Sequence, residues 1–162
     1  MKFIKPMMDT AYVWAEMSSC IRKKVGAVLE KDGRILSVGY NGTISGTDNK
    51  CEKDCLDCNG SGTVSSYEER RCESCQGKGI ISNPNVVHAE KNLIAFCAKN
   101  GIATEGCTVY VTYSPCTECA QLMKQSGIVK VIYDEAYRDL SGVELLNSVG
   151  VDCKPIKDLI KY

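Results

Sequence analysis

Apolar residues at Phe3, Met7, Met8, Ala11, Val13, Trp14, Ala15 and Met17 fall mostly three or four apart, the period of a helix with one buried face, and predict a first helix over 3–19. The period then shortens. Two β-rich runs, 25–30 and 34–40, flank the turn residues Lys31, Asp32 and Gly33, which predicts a hairpin leading into Asn41-Gly42. From about 44 to 85 the chain turns to Gly, Ser, Asn, Asp and Cys with almost no apolar periodicity. That stretch is too long for an ordinary connection, so something other than an apolar core must organise it. Beyond Pro84 the stripe Ala89, Leu93, Phe96 and Cys97 predicts a helix over 88–99, stopped by Asn100-Gly101. A strand at 107–113, a helix from Pro115 to about 125 with Gly127 as its stop, a strand at 129–133, a helix at 140–148 and a last strand at 151–156 complete the pattern. The order αββαβαβαβ predicts an α/β domain whose helices cover a mostly parallel sheet.

With 162 residues the chain suits one such domain carrying a long insertion. Lys plus Arg and Asp plus Glu number 20 each, so no net charge draws it to a polynucleotide. No run approaches the roughly 20 apolar residues of a membrane span, and Lys2, Lys5 and Asp9 interrupt the place of an apolar leader. A protein without a membrane segment, resident in the cytoplasm where it is made (a host cytoplasm if the source is viral), is the expectation. Eleven cysteines then need a reading outside an oxidising compartment, and their odd number and paired spacing favour metal.

The only histidine, His88, stands in Val87-His88-Ala89-Glu90, and 25 residues after Glu90 comes Pro115-Cys116-Thr117-Glu118-Cys119. Two cysteines three apart in the first turn of a helix share a face, and the positive end of the helix dipole favours their thiolates. One imidazole added to them gives three zinc ligands, the number that leaves a tetrahedral corner for water. Two thiolates neutralise the ion, so a nearby base has to help activate that water, and Glu90 is two residues from the histidine ligand. Taken singly, a lone histidine is usually a surface or core residue and a lone CxxC is as often structural or redox-active. Together they point to catalytic zinc.

The insertion contains two copies of CxxCxGxG, at Cys55-Leu56-Asp57-Cys58-Asn59-Gly60-Ser61-Gly62 and Cys72-Glu73-Ser74-Cys75-Gln76-Gly77-Lys78-Gly79. Cys55, Cys58, Cys72 and Cys75 can close a tetrahedral structural zinc site, with glycines that let backbone N–H groups turn towards sulfur. The repeat resembles the cysteine-rich region of DnaJ-type chaperones. Metal binding would supply the folding free energy that the segment lacks. Disulfides are the competing reading, and Cys51 is a possible substitute ligand. Cys20, Cys97, Cys107 and Cys153, in apolar or strand contexts, read as small core residues.

Val25-Gly26-Ala27-Val28, Gly39-Tyr40-Asn41-Gly42, His88-Ala89-Glu90-Lys91-Asn92 and Ser114-Pro115-Cys116-Thr117-Glu118-Cys119, in this order, resemble the deoxycytidylate deaminases of the zinc-dependent cytidine deaminase superfamily. The resemblance implies a three-layer α/β/α cytidine-deaminase-like fold with a mixed five-stranded sheet. It implies hydrolysis of dCMP to dUMP and ammonia, feeding thymidylate synthesis, with Glu90 moving the proton from water to N3 and on to the leaving amine. By the same resemblance Asn41 binds the sugar 3′-hydroxyl, groups near Ser114 position the base, and Tyr137 with Arg138 forms a gate and phosphate grip. Arg22, Lys23 and Lys24 are further candidates for the phosphate. Family members are commonly hexamers activated by dCTP with Mg2+ and inhibited by dTTP, which makes Tyr40, Asn41 and Gly42 the effector candidates. The chain departs from the pattern after GYNG, where Thr43-Ile44-Ser45-Gly46 lacks the usual proline, and in having no histidine left for an accessory zinc. A deaminase of RNA or DNA bases shares the zinc constellation, but a neutral chain with 7% aromatic residues and no basic run offers no groove for a polymer. A zinc-ribbon interaction module would leave His88 and Glu90 without a role, and the surroundings of Pro115-Cys116 do not suit a thiol oxidoreductase.

Overall fold

The structure, a computed structural model, describes residues 3–64 and 70–160. In chain order the elements are α1 (Ile4–Ala15), β1 (Gly26–Lys31), β2 (Arg34–Tyr40), β3 (Gly42–Thr43), β4 (Glu52–Asp54), β5 (Ile80–Ser82), β6 (Val86–Val87), α2 (Ala89–Asn100), β7 (Thr108–Tyr113), α3 (Thr117–Gln125), β8 (Lys130–Glu135), α4 (Ser141–Ser148) and β9 (Asp152–Pro155). They form two compact units. One comprises 1–18, 24–41 and 87–162, and the other 19–23 and 42–86.

In the first unit five strands lie in the order β2-β1-β7-β8-β9. The β1 strand is antiparallel to β2 and to β7, whereas β7–β8 and β8–β9 are parallel, so the sheet is mixed, as the family resemblance implies, and not mostly parallel as the element order alone suggests. Alternation along the strands sorts the side chains to two faces. Ala27, Leu29, Val109, Val111, Val131, Tyr133 and Cys153 face a core shared with Leu93, Met123 and Leu146 of α2, α3 and α4. Val28, Tyr110 and Ile132, on the other face, meet Ile4, Met7, Met8 and Ala11 of α1. A three-layer α/β/α sandwich results.

The first helix stops at Ala15, short of the expected Ser19; of the expected stripe only Met7, Met8, Ala11 and Ala15 are buried, joined by Ile4. Pro6 is tolerated because the N–H groups of a first turn have no intrahelical acceptor. Phe3, Val13 and Met17 are exposed instead of buried, as is Phe96 of α2. Gly26 explains how closely α1 approaches the sheet, since a Cβ there would overlap the Ala11 carbonyl. Pro155 ends β9 without breaking it, pairing with Tyr133. Among the described residues no helix is long and apolar enough to cross a membrane.

The insertion unit has a two-stranded antiparallel ribbon of β4 and β5, registered Glu52 to Ser82 and Asp54 to Ile80. Within it Cys20 and Cys51 form a disulfide. This corrects both expectations for that pair: Cys20 is not a lone core residue, and Cys51 does not join the other four thiols. Cys97, Cys107 and Cys153 are buried and unpaired, as expected.

Candidate functional site

In the first unit the parallel strands β7 and β8 end at one edge of the sheet, and because β1 runs against β7, that edge also holds Gly26 and the end of β2. Ligand sites of α/β sheets form outside such carboxyl ends. Each strand delivers a motif there. Strand β2 runs into Asn41, β7 into Ser114 and the Cys116 turn, and β8 towards Tyr137. Helix α2 is drawn to the same place by Gly39, where a Cβ would overlap the Ala89 carbonyl, and by the Asn92 side chain, which donates to the Tyr40 carbonyl at 2.8 Å.

His88 is the N-cap residue of α2, and Cys116 that of α3, so Pro115 lies outside the helix that it was expected to open. The His88 Nδ1 atom is 3.6 Å from Cys116 Sγ and 3.4 Å from Cys119 Sγ. A tetrahedral zinc with ordinary bond lengths separates N from S by about 3.5 Å, so the three donors fit that ion as they stand. Two helix N-termini face these donors, and both favour negative charge. Hydrogen bonds with Cys119 and then with His88 pull the Cys116 thiol down to about 3, while Cys119 is pushed up by Cys116 and by burial. The His88 ring is held above its ordinary value chiefly by Cys116. His88, Cys116 and Cys119 would hold a dication such as zinc, which would take the place of the protons they otherwise share.

Glu90, in the first turn of α2, is only 4% exposed. Burial pushes its carboxyl above the usual carboxylate range, against the opposing pull of its own backbone N–H and of His88. Such a group both accepts and returns a proton. The wall beside it is aromatic: Tyr113 and Tyr137 rings lie 5.2 Å apart at 39°, and burial together with Glu90 raises the Tyr137 hydroxyl to about 12. Buried Ser114 accepts the Tyr137 N–H at 2.9 Å. The Asn41 carboxamide oxygen accepts the Val25 N–H at 2.8 Å, which orients the side chain. Tyr40 stacks on Trp14 at 6.2 Å, Arg138 is exposed beside Tyr137, and Gly42 opens β3 in the insertion unit. Arg22 also belongs to the insertion unit, where its guanidinium donates to Ser82 at 2.7 Å. The sequence reading missed Tyr113 and Gly142. A tyrosine closing a strand carries no signal of its own, and the only hint at Gly142 is a glycine in the first turn of a predicted helix.

In the insertion unit Cys55, Cys58, Cys72 and Cys75 are buried together. The Cys55–Cys72 and Cys58–Cys75 sulfurs are 3.8 and 3.7 Å apart, against about 3.8 Å across a tetrahedral zinc tetrathiolate. The two repeats have the same backbone. Gly62 and Gly79 N–H groups donate to Cys58 and Cys75 sulfurs at 3.3 Å, and each repeat's first cysteine donates its N–H to the last glycine of the other at 2.8 Å. Gly62 and Gly79 have φ of 82° and 74°, and a Cβ on either would overlap a carbonyl of the opposite repeat. The paired glycines are therefore demanded by conformation and by contact at once.

Residues 1–135 match the family model described as the cytidine and deoxycytidylate deaminase zinc-binding region, and the chain belongs to that family. The deoxycytidylate deaminase of Enterobacteria phage T4 is 36% identical over 152 residues, covering 81% of this chain and 77% of that protein. The human deoxycytidylate deaminase is 34% identical, over 82% of this chain and 65% of its own length. Among solved structures, that of dCMP deaminase from the cyanophage S-TIM5 in complex with dCMP and dUMP superposes with a TM-score of 0.76 at 32% identity, covering 95% of this chain and 96% of that one.

Proposed function

We propose that this protein hydrolyses dCMP to dUMP and ammonia, with zinc held by His88, Cys116 and Cys119 and with Glu90 as the proton carrier. The observation that carries the reading is the fit of three close donors beside one buried carboxylate, in a family whose S-TIM5 member was crystallised with dCMP and dUMP. Zinc at such a site supplies an acidified water. Glu90 takes a proton from the attacking water, passes it to N3, and delivers another to the amino group as the C4–N4 bond breaks, so that one water is consumed for each ammonia released. Ser114, Tyr113 and Tyr137 frame the base, Asn41 takes the sugar 3′-hydroxyl, and Arg138 grips the phosphate.

Further parts of the reading are a structural zinc on Cys55, Cys58, Cys72 and Cys75, which rests on the repeated CxxC spacing, and, by family resemblance, activation by dCTP with Mg2+ and inhibition by dTTP through Tyr40, Asn41 and Gly42, a homo-oligomer of hexamer size, and cytoplasmic supply of dUMP to thymidylate synthesis. The donor geometry supports the second zinc most directly. Purified protein assayed on dCMP, cytidine and single-stranded DNA should deaminate dCMP fastest, and equal rates on all three would defeat the assignment.

A further inference from the structure

The five residues from Ala136 to Leu140 connect the end of β8 to α4, and both ends of this segment are attached to the turn that carries a metal donor. At the first end the Tyr137 N–H donates to Ser114 Oγ at 2.9 Å, and the Tyr137 ring lies on Tyr113. At the second, Ser141 Oγ and Thr117 Oγ1 share a hydrogen bond of 2.8 Å, and the Ser141 N–H donates to Asp139 at 2.9 Å. Gly142 lets α4 lie directly on the ligand turn, because a Cβ there would overlap the Pro115 and Cys116 carbonyls. Residues 114 to 117 thus face 137 to 142 at both ends, with the Cys116 donor between the two attachments.

We infer that Thr117, Ser141 and Gly142 are positioning residues that clamp the Tyr137–Arg138 segment to the Cys116 turn, so that the grip on the substrate beyond its base is set by the same residues that aim a metal ligand. The inference rests on the reading of Arg138 as the phosphate grip. Thr117 and Ser141 spend their hydroxyls on each other, at 2.8 Å. Their effect passes through the backbone they tie down.

Thr117→Val and Ser141→Ala each remove one partner of the 2.8 Å bond, and a single hydrogen bond is worth roughly a 2- to 10-fold change. Amide exchange over 136–142 should accelerate by that factor in both variants, with the amides of Leu93 and Cys97 in α2 unmoved. The preference for dCMP over deoxycytidine, as the ratio of the two kcat/KM values, should fall by a similar factor. Ser148→Ala, which removes a hydroxyl bond to the Leu145 carbonyl in the last turn of the same helix, serves as the control and should change neither. Exchange unmoved, a ratio unmoved, or equal changes in Ser148→Ala would each overturn the clamp. A wild-type protein with no preference for the nucleotide would instead remove the Arg138 reading on which it stands, so the two failures are told apart before any variant is made.

Discussion

Glu90 has the chemistry of the site concentrated in one side chain, buried next to three donors that need no help from it to hold an ion. Glu90→Gln keeps shape and volume but can neither accept nor return a proton. Turnover should fall at least about 100-fold while the metal content stays that of the wild type. Metal lost together with activity would show the carboxylate to be a ligand. This residue, with His88, Cys116 and Cys119, was legible in the sequence because spacing along a helix start places side chains before any tertiary contact is known. Tyr113 was not, since what makes it matter is a ring 5.2 Å away from a residue 24 positions on. Gly39 belongs to the same class: its motif is readable, but its reason is the overlap that a Cβ would make with Ala89 and Leu93. Gly39→Ala should push the first turn of α2 off the sheet edge, lowering the melting temperature and the activity together, with a cost of about 1–3 kcal/mol from overpacking.

At the scale of elements, boundaries were read to within a few residues and burial less well. Periodicity marks which side of α1 can be apolar, but in the structure Val13 stays exposed on the helix and Met17 lies past its end, while Gly26 lets Ala11 and Ala15 come up against the sheet. The insertion shows the opposite balance. Its four-thiol cluster follows from the repeated spacing, whereas the Cys20–Cys51 bond joins residues 31 apart with no spacing signature, so nothing in the sequence pattern points to 19–23 grouping with the insertion. The disulfide, and on the proposed reading a zinc ion on the four thiols, are the two crosslinks that would stand in for a core there. In the chain-entropy account a disulfide closing a loop of this length contributes roughly 3–4 kcal/mol, so the paired change of Cys20 and Cys51 to serine should destabilise the insertion unit by up to that amount. A strong chelator should act on the other crosslink. Amide protection over 55–64 and 70–79 should disappear, while that of Leu29 and Val131 in the first unit's core persists, as measured by hydrogen exchange.

For the whole molecule, the order of elements was readable, but the gathering of four motifs at one sheet edge depended on strand directions that the sequence pattern left open. The element order alone does not say that β1 runs against β7 as well as against β2, and with the hairpin it is this direction that brings Asn41 to the edge where His88 and Cys116 stand. The charge balance was legible from the start and decides between substrates of different size. A polymer-binding deaminase contacting 6–10 phosphates would lose about 10³–10⁵ in affinity between roughly 50 and 200 mM salt. A chain with 20 basic and 20 acidic residues has no such field to lose, and on the proposed reading a single mononucleotide phosphate at Arg138 would depend on one local contact. The KM for dCMP should therefore rise by less than about 10-fold over that salt range. Arg138→Ala should raise the KM for dCMP yet leave deoxycytidine turnover near the wild-type rate, as steady-state kinetics on both substrates will show. A salt dependence as steep as that of a polymer binder, or an Arg138→Ala loss equal on nucleotide and nucleoside, would mean that recognition is spread over a surface rather than focused at this edge.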